Sequence, residues 1–489
     1  MREGRVPSRV ATPEPPLPER SPIIVWFRRD LRLSDHAALH AAARTGRPVI
    51  AVAIRDPLVD ALGAAPKWRL GEGLRVFGDA LRAAGSRLIL RTGDALDVLQ
   101  RLAEETGARD VWWMRAYDPD SVARDKIVKA GLEARGVTAM SCAGHVLFEP
   151  WTVETGTGGF YKVYTPFWKA VRGRGVVAPL PAPSRLPAPD AWPGSERLED
   201  WRMGRAMDRG ADIVARWANV GERAAQDRLE AFLDDGIDGY HQTRDLPGVV
   251  GTSNLSENLA LGEISVAQCW HAGQRARHEG RAGAETFLKE LVWRDFAYHL
   301  TWHTPHLLTR NWRTEWDAFG WREEADTDEV RAWKQGRTGI AFVDAGQREM
   351  YVTGRMHNRA RMIVASYLTK HLMTHWRIGQ KWFEDHLIDW DPANNALGWQ
   401  WAAGSGPDAT PYFRVFNPVT QLDRFDRDRA YVDRWIAEGQ ANPPPEALSY
   451  FEAVPRRWGL DPDDAYPDPV VEPGEGRARA LAAYENRAF

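Results

Sequence analysis

Several features that would assign this chain to a class of protein are absent or scarce. Its 489 residues include only two cysteines, Cys142 and Cys269, which excludes a four-cysteine zinc or iron–sulfur site and suits a reducing compartment. No run of about 18 apolar residues exists, so we expect no membrane-spanning helix. The motifs GxxxxGK(S/T), GxSxG and HExxH are missing, and the run GTGG at Gly156 does not complete GxGxxG. The sequence therefore does not predict a P-loop, a nucleophile elbow or a zinc-protease site.

The net charge and the spacing of the histidines bear on whether the protein binds nucleic acid or a metal. The formal net charge of −3 is no global signature of a nucleic-acid binder, so any DNA contact must come from a local cluster of arginine and lysine. An apolar content of 44% and a charged content of 27% are typical of a globular protein, and we expect a cytoplasmic monomer. His299 and His303 have the i,i+4 spacing of one helix face, as do His371 and His375. Neither pair has a visible third ligand, so we expect no metal.

The first 150 residues alternate short apolar segments with amphipathic ones. Residues 1–20 are polar and proline-rich, without the apolar core of a secretory signal, and are expected to form a disordered tail. Residues 21–150 predict a parallel, doubly wound α/β sheet with a ligand at the carboxyl ends of its strands. The predicted strands are Ile23–Phe27, Pro48–Ile54, Arg87–Leu90, Asp110–Met114 and Val137–Ser141, and the predicted helices are Ala37–Ala43, Trp68–Ala84, Ala95–Glu105 and Ser121–Arg135.

The rest of the chain divides into a proline-rich part and a part with helical periodicity. Residues 151–218 predict an inter-domain connector, because the stretch from Pro179 to Trp201 carries so much proline that neither helix nor sheet can persist. From residue 219 to 485 helical periodicity dominates, which predicts a large all-α domain. The expected fold class is therefore α/β plus all-α. The chain also holds 23 tryptophans, and core packing explains most of them.

Two polar clusters in the helical half have spacings that core packing does not require. The run GTSNLS, from Gly251 to Ser256, places hydroxyl and backbone N–H groups in a turn that suits a phosphate, although Ser256 could equally be a helix N-cap. Glu290, Trp293 and Arg294 share one helix face and could accept a base edge, stack on a ring and touch a phosphate. The alternative is an intrahelical Glu–Arg pair beside a packed tryptophan.

Two further clusters follow towards the C-terminus. Asn358, Arg361 and Met362 share a helix face within MHNRARM. Asp389 and Asp391 in LIDWDPANNALGWQW could form an acid/base pair, but such chemistry on a sugar would also need a polar cleft. Asp389 is more simply the partner of Arg361, holding two helices around a ligand.

Together these runs resemble the photolyase/cryptochrome flavoprotein family. GTSNLS, ELVWRDF, GRMHNRARM, ANNALGWQWAAGSG and PYFRVFNP are similar to motifs of its helical domain, and VWFRRDLRLSDHAAL and YTPFWK to its antenna domain. The resemblance extends over about residues 22–485, with the motifs in the expected order. The ANNALGWQW run is most similar to the class III bacterial branch of cyclobutane pyrimidine dimer photolyases.

The resemblance implies that the helical domain binds FAD. By position, Arg361 pairs with Asp389 beside the flavin, Asp391 lies towards the adenine, and Asn395 faces the flavin N5 atom. An amide can hydrogen-bond N5 but supplies no acidic proton, which favours repair over cryptochrome-type signalling. The other residues expected to bind the cofactor are Tyr240, Thr252, Ser253, Asn254, Leu255 and Ser256.

The implied activity is that of a light-dependent lyase, a deoxyribodipyrimidine photo-lyase. An electron passes from excited, reduced FAD to a dimer that has been flipped out of damaged DNA. The expected lesion-pocket residues are Glu290, Trp293, Asn358, Met362 and Trp401. The alternative is a cryptochrome-type blue-light photoreceptor with the same fold and FAD but no repair.

The resemblance also assigns roles outside the pocket. The residues expected at the DNA backbone are Arg244, Arg294, Arg359 and Arg414, with Arg359 turned away from the face that carries Asn358. The residues expected to carry electrons from the surface to oxidised flavin are Trp399, Trp376 and Trp321. A second, antenna chromophore, methenyltetrahydrofolate, is expected near the cleft between the domains. There the run AYDP at 116–119 departs from the commoner folate pattern.

Overall fold

A five-stranded parallel sheet forms the N-terminal half of the protein. The computed structural model describes residues 21–408 and 413–489, so the tail expected at residues 1–20 lies outside the described residues. The strands are β1 (Ile23–Phe27), β2 (Val49–Arg55), β3 (Leu88–Thr92), β4 (Asp110–Met114) and β5 (Thr138–Cys142). Their order in the sheet is β3-β2-β1-β4-β5, and every neighbouring pair is parallel. Each strand overlaps its predicted segment.

Helices cover both faces of this sheet. They are α1 (Ala37–Arg44), α2 (Pro57–Asp60), α3 (Ala64–Ala83), α4 (Ala95–Thr106) and α5 (Pro119–Glu133). Ile23, Val25 and Phe27 of β1 pack with α1 and α3, whereas Ile24 and Trp26 pack with α4 and α5. Strand β1 is buried along its whole length because both of its faces are covered. The structure confirms the predicted doubly wound α/β domain.

The C-terminal half is helical, as predicted. The helices from the connector onwards are α6 (Tyr164–Val171), α7 (Gly210–Ala215), α8 (Glu222–Ala231), α9 (Tyr240–Thr243), α10 (Ser256–Ala260), α11 (Val266–His278), α12 (Ala284–His303), α13 (Asp328–Lys334), α14 (Ala341–Thr353), α15 (Asn358–Ser366), α16 (Trp376–His386), α17 (Pro392–Ala403), α18 (Pro418–Phe425), α19 (Ala430–Trp435), α20 (Pro445–Ala453) and α21 (Pro473–Glu485). Two large apolar clusters form the core, one around α11 and α12 and the other around α14, α15 and α16.

The predicted connector is only partly irregular. Residues 172–197, all of them described, carry neither helix nor strand, as their proline content predicts. The connector nevertheless includes α6 and α7, and Tyr164, Phe167 and Trp168 of α6 are buried against the helical half. Leu186 is buried against the α/β domain. The connector is therefore packed on both domains.

A buried cluster of ion pairs joins the two domains. Arg69 of α3 donates to the two oxygens of Glu263 at 2.9 and 2.6 Å, and to Glu257 at 3.1 Å. Arg228 and Arg355 approach Glu257 from the helical side, at 2.8 and 3.4 Å. The side chains of Arg69, Glu257 and Glu263 are fully buried. Since a buried charge is tolerated only beside a partner, these contacts fix how α3 lies against the helical domain.

The Arg69→Leu substitution is expected to lower the free energy of unfolding by about 3–5 kcal/mol, because it leaves the buried carboxylate of Glu263 without its arginine and removes one of the three arginines beside Glu257. Arg75→Leu on the same helix removes an exposed pair with Glu72, and should change the free energy of unfolding by less than about 1 kcal/mol. Urea denaturation followed by circular dichroism measures both variants. Equal losses would contradict the role given to the Arg69 cluster.

Candidate active site

One large cavity opens in the helical half. Its volume is about 960 Å³, at the upper end of the range for cavities that hold a small-molecule ligand. All the residues expected to bind FAD and all those expected in the lesion pocket line this one cavity. They are Tyr240, Thr252, Ser253, Asn254, Leu255, Ser256, Arg361, Asp389, Asp391 and Asn395, and Glu290, Trp293, Asn358, Met362 and Trp401.

The turn at residues 252–256 forms part of the cavity wall. Helix α10 begins at Ser256, and Leu255 before it makes no side-chain capping bond. The interpretation of Ser256 as an N-cap is therefore wrong. Asn254 has a φ of 51°, its carbonyl accepts from Arg228 at 2.6 Å, and its side chain accepts from the Thr252 hydroxyl at 3.3 Å. The turn is held by these bonds, and its residues line the cavity with side chains and backbone of the kind that suits a phosphate.

Asp389 pairs with Arg361, as predicted. Arg361 donates from Nη2 to Asp389 Oδ2 at 2.7 Å and from Nε to the carbonyl of Met356 at 2.7 Å. Asp389 is only 7% exposed. Among the described residues, no partner is found for its Oδ1 atom or for the indole N–H groups of Trp390 and Trp399. Each of these atoms is itself buried, so none of the three is exposed to the cavity, although all three residues line it.

Asp391 lies where three elements meet at the cavity wall. It precedes α17 and accepts from the backbone N–H of Asn394 at 3.0 Å, which caps that helix. It also accepts from the Tyr298 hydroxyl of α12 and from Arg29 of the α/β domain, the latter at 3.0 Å. Burial alone would raise the pKa of Asp391, but the nearby charges of Arg29 and Arg294 and these hydrogen bonds hold it well below its usual range. Asp391 is therefore ionised at neutral pH.

Two residues expected in the lesion pocket are held by neighbouring side chains. Trp293 of α12 stacks on Tyr164 of α6, with ring centroids 3.7 Å apart and planes 8° from parallel. Glu290, one turn earlier, accepts a hydrogen bond from Arg244. An acid expected to contact the dimer and an arginine expected to contact the DNA backbone are thus paired with each other.

Arg294 of α12 does not form the intrahelical pair with Glu290 that was one of the two expectations for it. It donates to the carbonyl of His145 at 2.7 Å, and its guanidinium lies over the ring of Tyr298 at 5.2 Å. Glu290 pairs with Arg244 instead, so the intrahelical Glu–Arg pair does not form. The loop after β5 brings the His145 carbonyl within reach of Arg294, which also lines the cavity and whose charge lowers the pKa of Asp391. A contact of Arg294 with the DNA backbone stays a prediction.

The other arginines expected at DNA differ in how firmly they are held. Arg359 turns away from the cavity, as predicted, and pairs with Asp245 at 2.9 Å while lying over the ring of Phe425 at 4.2 Å. Arg414 lies 5.7 Å from the ring of Phe416. These contacts orient the side chains without placing the charges deep in the protein, so both remain candidates for DNA contacts.

The three tryptophans of the expected electron path are all buried. Trp399 lines the cavity, and its ring packs against Phe383 with centroids 4.9 Å apart. Trp376 and Trp321 both lie against the ring of His375, at 5.5 and 5.4 Å. Trp321 was expected to reach the surface, but it is only 7% exposed. The electron path therefore remains a prediction, and its outer end is covered by other side chains.

Three further residues at the site were not found from the sequence. Glu349 lines the cavity, accepts from the backbone N–H of His357 at 2.9 Å, and has its pKa raised by burial. Arg29 and Tyr298 both bind Asp391. Tyr298 lies four residues after Arg294, so helical spacing could have found it. Arg29 comes from the other domain, and no sequence spacing connects it to Asp391.

Neither a cluster of metal ligands nor a helix suited to a membrane is found among the described residues. Within residues 21–408 and 413–489, no group of three or more potential metal ligands lies close enough to hold an ion. In the same part of the chain, no helix is both long enough and apolar enough to cross a membrane.

The sequence of this chain is similar to those of known proteins. The family model for DNA photolyase matches residues 23–185, and the model for the FAD binding domain of DNA photolyase matches residues 287–486. The deoxyribodipyrimidine photo-lyase of Agrobacterium fabrum is 46% identical over 470 residues, which cover 95% of this chain and 98% of that protein.

Comparisons of structure give the same result. A class III photolyase from Agrobacterium tumefaciens superposes with a TM-score of 0.87 at 44% identity, covering 97% of this chain and 99% of that one. A cryptochrome from Synechocystis superposes with a TM-score of 0.80 at 26% identity, covering 96% and 100%. The overall architecture is therefore common to repair enzymes and cryptochromes.

Proposed function

The chain belongs to the DNA photolyase family and carries that family's FAD-binding domain, and we propose that it uses light to split cyclobutane pyrimidine dimers in damaged DNA. Its cofactor is FAD. The observation that carries the proposal is the shared cavity, which is lined both by the residues expected at the flavin and by those expected at the dimer. Cofactor and lesion residues in one cavity bring the two reacting groups close together.

The residues of the cavity fit FAD. The turn at 252–256 lines the cavity with residues whose hydroxyl and N–H groups suit phosphates, and the paired side chains of Arg361 and Asp389 add a polar part to its wall. Asn395 donates from Nδ2 to the carbonyl of Gln380 at 3.1 Å, so its Oδ1 atom is left to accept from an N–H of the ligand. An amide oxygen in that position stabilises a reduced flavin without supplying an acidic proton. This supports repair rather than signalling.

Reduced FAD, when bound and excited by light, would supply the electron that opens the cyclobutane ring and would receive it back once the two pyrimidines have separated. The chain's own residues receive and orient the dimer. Trp293 and Trp401 provide flat apolar walls, Met362 adds apolar contact, and Glu290 and Asn358 hydrogen-bond the pyrimidine edges. A dimer enters by base flipping, which costs least where the lesion already disturbs stacking. No acid–base pair is needed, because the reaction requires no proton transfer from the protein.

The pair of Arg244 with Glu290 links lesion binding to DNA binding. When Glu290 turns to a pyrimidine edge, Arg244 loses its partner and becomes available to a phosphate. Arg359 and Arg414 provide further positive charge for the backbone. Binding of the dimer and of the flanking DNA then reinforce each other, although the chain as a whole carries a small negative charge.

Repair of a dimer-containing oligonucleotide under blue light, with fully reduced FAD bound, tests the proposed function directly. We expect intact pyrimidines to appear in the light and not in a dark control, and chromatography of the digested product measures them. No repair by the fully reduced protein would contradict the proposal and favour the cryptochrome alternative.

Variants of α12 separate lesion recognition from cofactor binding in this assay. Glu290→Ala is expected to weaken binding of the dimer by about 10-fold or more, because a charge-assisted hydrogen bond is lost, while flavin content stays unchanged. Glu285→Ala, which removes an exposed pair with Lys289 on the same helix, should behave as wild type. Loss of flavin from the Glu290 variant would show that this residue belongs to the cofactor site instead.

Trp399, Trp376 and Trp321 are proposed to carry electrons to oxidised FAD. Trp399 lines the cavity, whereas Trp376 is not one of its lining residues and donates from Nε1 to Asn311 at 2.8 Å. Trp376 is therefore the better residue for a test, since replacing it leaves the cavity wall in place.

The Trp376→Phe substitution is expected to remove most of the photoreduction of oxidised FAD, because phenylalanine is much harder to oxidise. Trp270→Phe, at another buried tryptophan of the helical half, serves as the control and should photoreduce normally. The absorbance of the flavin during illumination with an external reductant follows both. Equal rates for the two variants would remove Trp376 from the electron path.

The antenna is proposed to be methenyltetrahydrofolate at the domain boundary near Tyr117. That residue is buried, donates to Glu149 at 2.8 Å and lies against the rings of Trp151 and Trp302, which together offer aromatic contact for a flat chromophore. Mass spectrometry of small molecules extracted from the purified protein should detect a folate in addition to FAD. A different second chromophore would overturn the assignment of the folate.

A further inference from the structure

Arg29 crosses the domain boundary to the wall of the cavity. It follows β1 directly, at the carboxyl edge of the sheet and beside the point where the strand order reverses between β1 and β4. Its Nε atom donates to the carbonyl of Ala260 at 2.8 Å, and its Nη2 atom donates to Asp391 at 3.0 Å. Ala260 and Asp391 both line the cavity. A residue of the α/β domain thus binds two elements of the proposed cofactor site.

The close approach of the two domains at this point is set by their backbones. The backbone N–H of Leu31 donates to the carbonyl of Leu261 at 3.1 Å. Gly262 has a φ of +63°, and a Cβ there would lie 2.3 Å from the carbonyl oxygen of Arg29. Only glycine fits in this conformation and space. The segment that carries Arg29 therefore lies in a defined position against the end of α10.

Asp391 connects Arg29 to the helix that forms part of the cavity wall. It caps the start of α17 through the backbone N–H of Asn394, and the same helix carries Asn395 and Trp399 on the cavity wall. The side chain of Asp391 is 9% exposed and that of Arg29 is 27% exposed. Their attraction is therefore less screened by water than that of a surface pair. Fixing the Asp391 carboxylate fixes the first turn of α17.

We propose that Arg29 is a positioning residue for FAD, so that the α/β domain completes the cofactor site of the helical domain. Arg29 holds Asp391 and thereby the start of α17, just as Arg361 holds Asp389 from within the helical domain. The assignment rests on the proposed function, because it takes the cavity to be the FAD site.

Release of FAD from the intact holoprotein tests this role. After dilution, the rise in fluorescence of free flavin gives the release rate, and visible circular dichroism reports the surroundings of the bound flavin. Arg29→Gln is expected to release FAD about 10-fold faster, the effect of losing a charge-assisted contact, and to alter the visible spectrum. Arg29→Lys, which keeps the charge, should restore part of the retention.

The control is Arg47→Gln, which removes an ion pair with Asp110 inside the α/β domain and should release FAD as wild type does. The double variant Arg29→Gln/Asp391→Asn should release FAD no faster than Asp391→Asn alone, because both changes break the same contact. Additive effects would overturn the coupling. If Arg29→Gln does not fold, Arg29→Met, which removes the charge but keeps an unbranched side chain, takes its place, and wild-type release and spectrum in that variant would overturn the proposal.

Single variants of Asp389 and Asp391 distinguish the role of Arg29 from the location of the cofactor site. If Asp389→Asn and Asp391→Asn release FAD faster but Arg29→Gln does not, the positioning role of Arg29 is wrong and the cavity assignment stands. If Asp389→Asn and Asp391→Asn both retain FAD as wild type does, the cavity is not the FAD site, and the role of Arg29 is overturned with it.

Discussion

Buried carboxylates paired with arginines join the two domains of this protein, because a carboxylate removed from water stays ionised only where charges or hydrogen bonds replace the water. At the domain boundary Glu263 meets Arg69, with every side-chain atom of the pair buried. A short distance along the same boundary, Asp391 meets Arg29 at the cavity wall. The requirement that docks the α/β domain on the helical domain therefore also acts at the wall of the proposed cofactor site.

The tryptophans illustrate how one residue type serves several purposes through its position. Trp293 lines the cavity and is stacked on Tyr164, so its ring is presented in a fixed orientation. Trp376 is fully buried, with its N–H bound to Asn311. Trp333 is equally buried, belongs to the same apolar cluster and lies 6.2 Å from the ring of Trp399. Burial alone therefore does not distinguish a tryptophan of the core from one of the proposed electron path.

Much of this arrangement could be predicted from local pattern. The strands were found almost to their ends because each is short, apolar and bounded by turns, and β1 and β4 match the predicted segments at both ends. Helical spacing correctly placed Asn358, Arg361 and Met362 on one face. Spacing failed where the partner came from elsewhere in the chain: Arg294 has Glu290 four residues before it but binds the carbonyl of His145.

The sequence by itself determined the two-domain α/β plus all-α architecture and the family, and it predicted which residues line the cavity, because these depend on periodicity and on dense local motifs. Only the tertiary structure decided which charges are paired. Glu290 with Arg244, Asp391 with Arg29 and Glu263 with Arg69 are separated by 46, 362 and 194 residues. The partner of a buried charge is set by which surfaces pack together, and that choice leaves no local pattern in the chain.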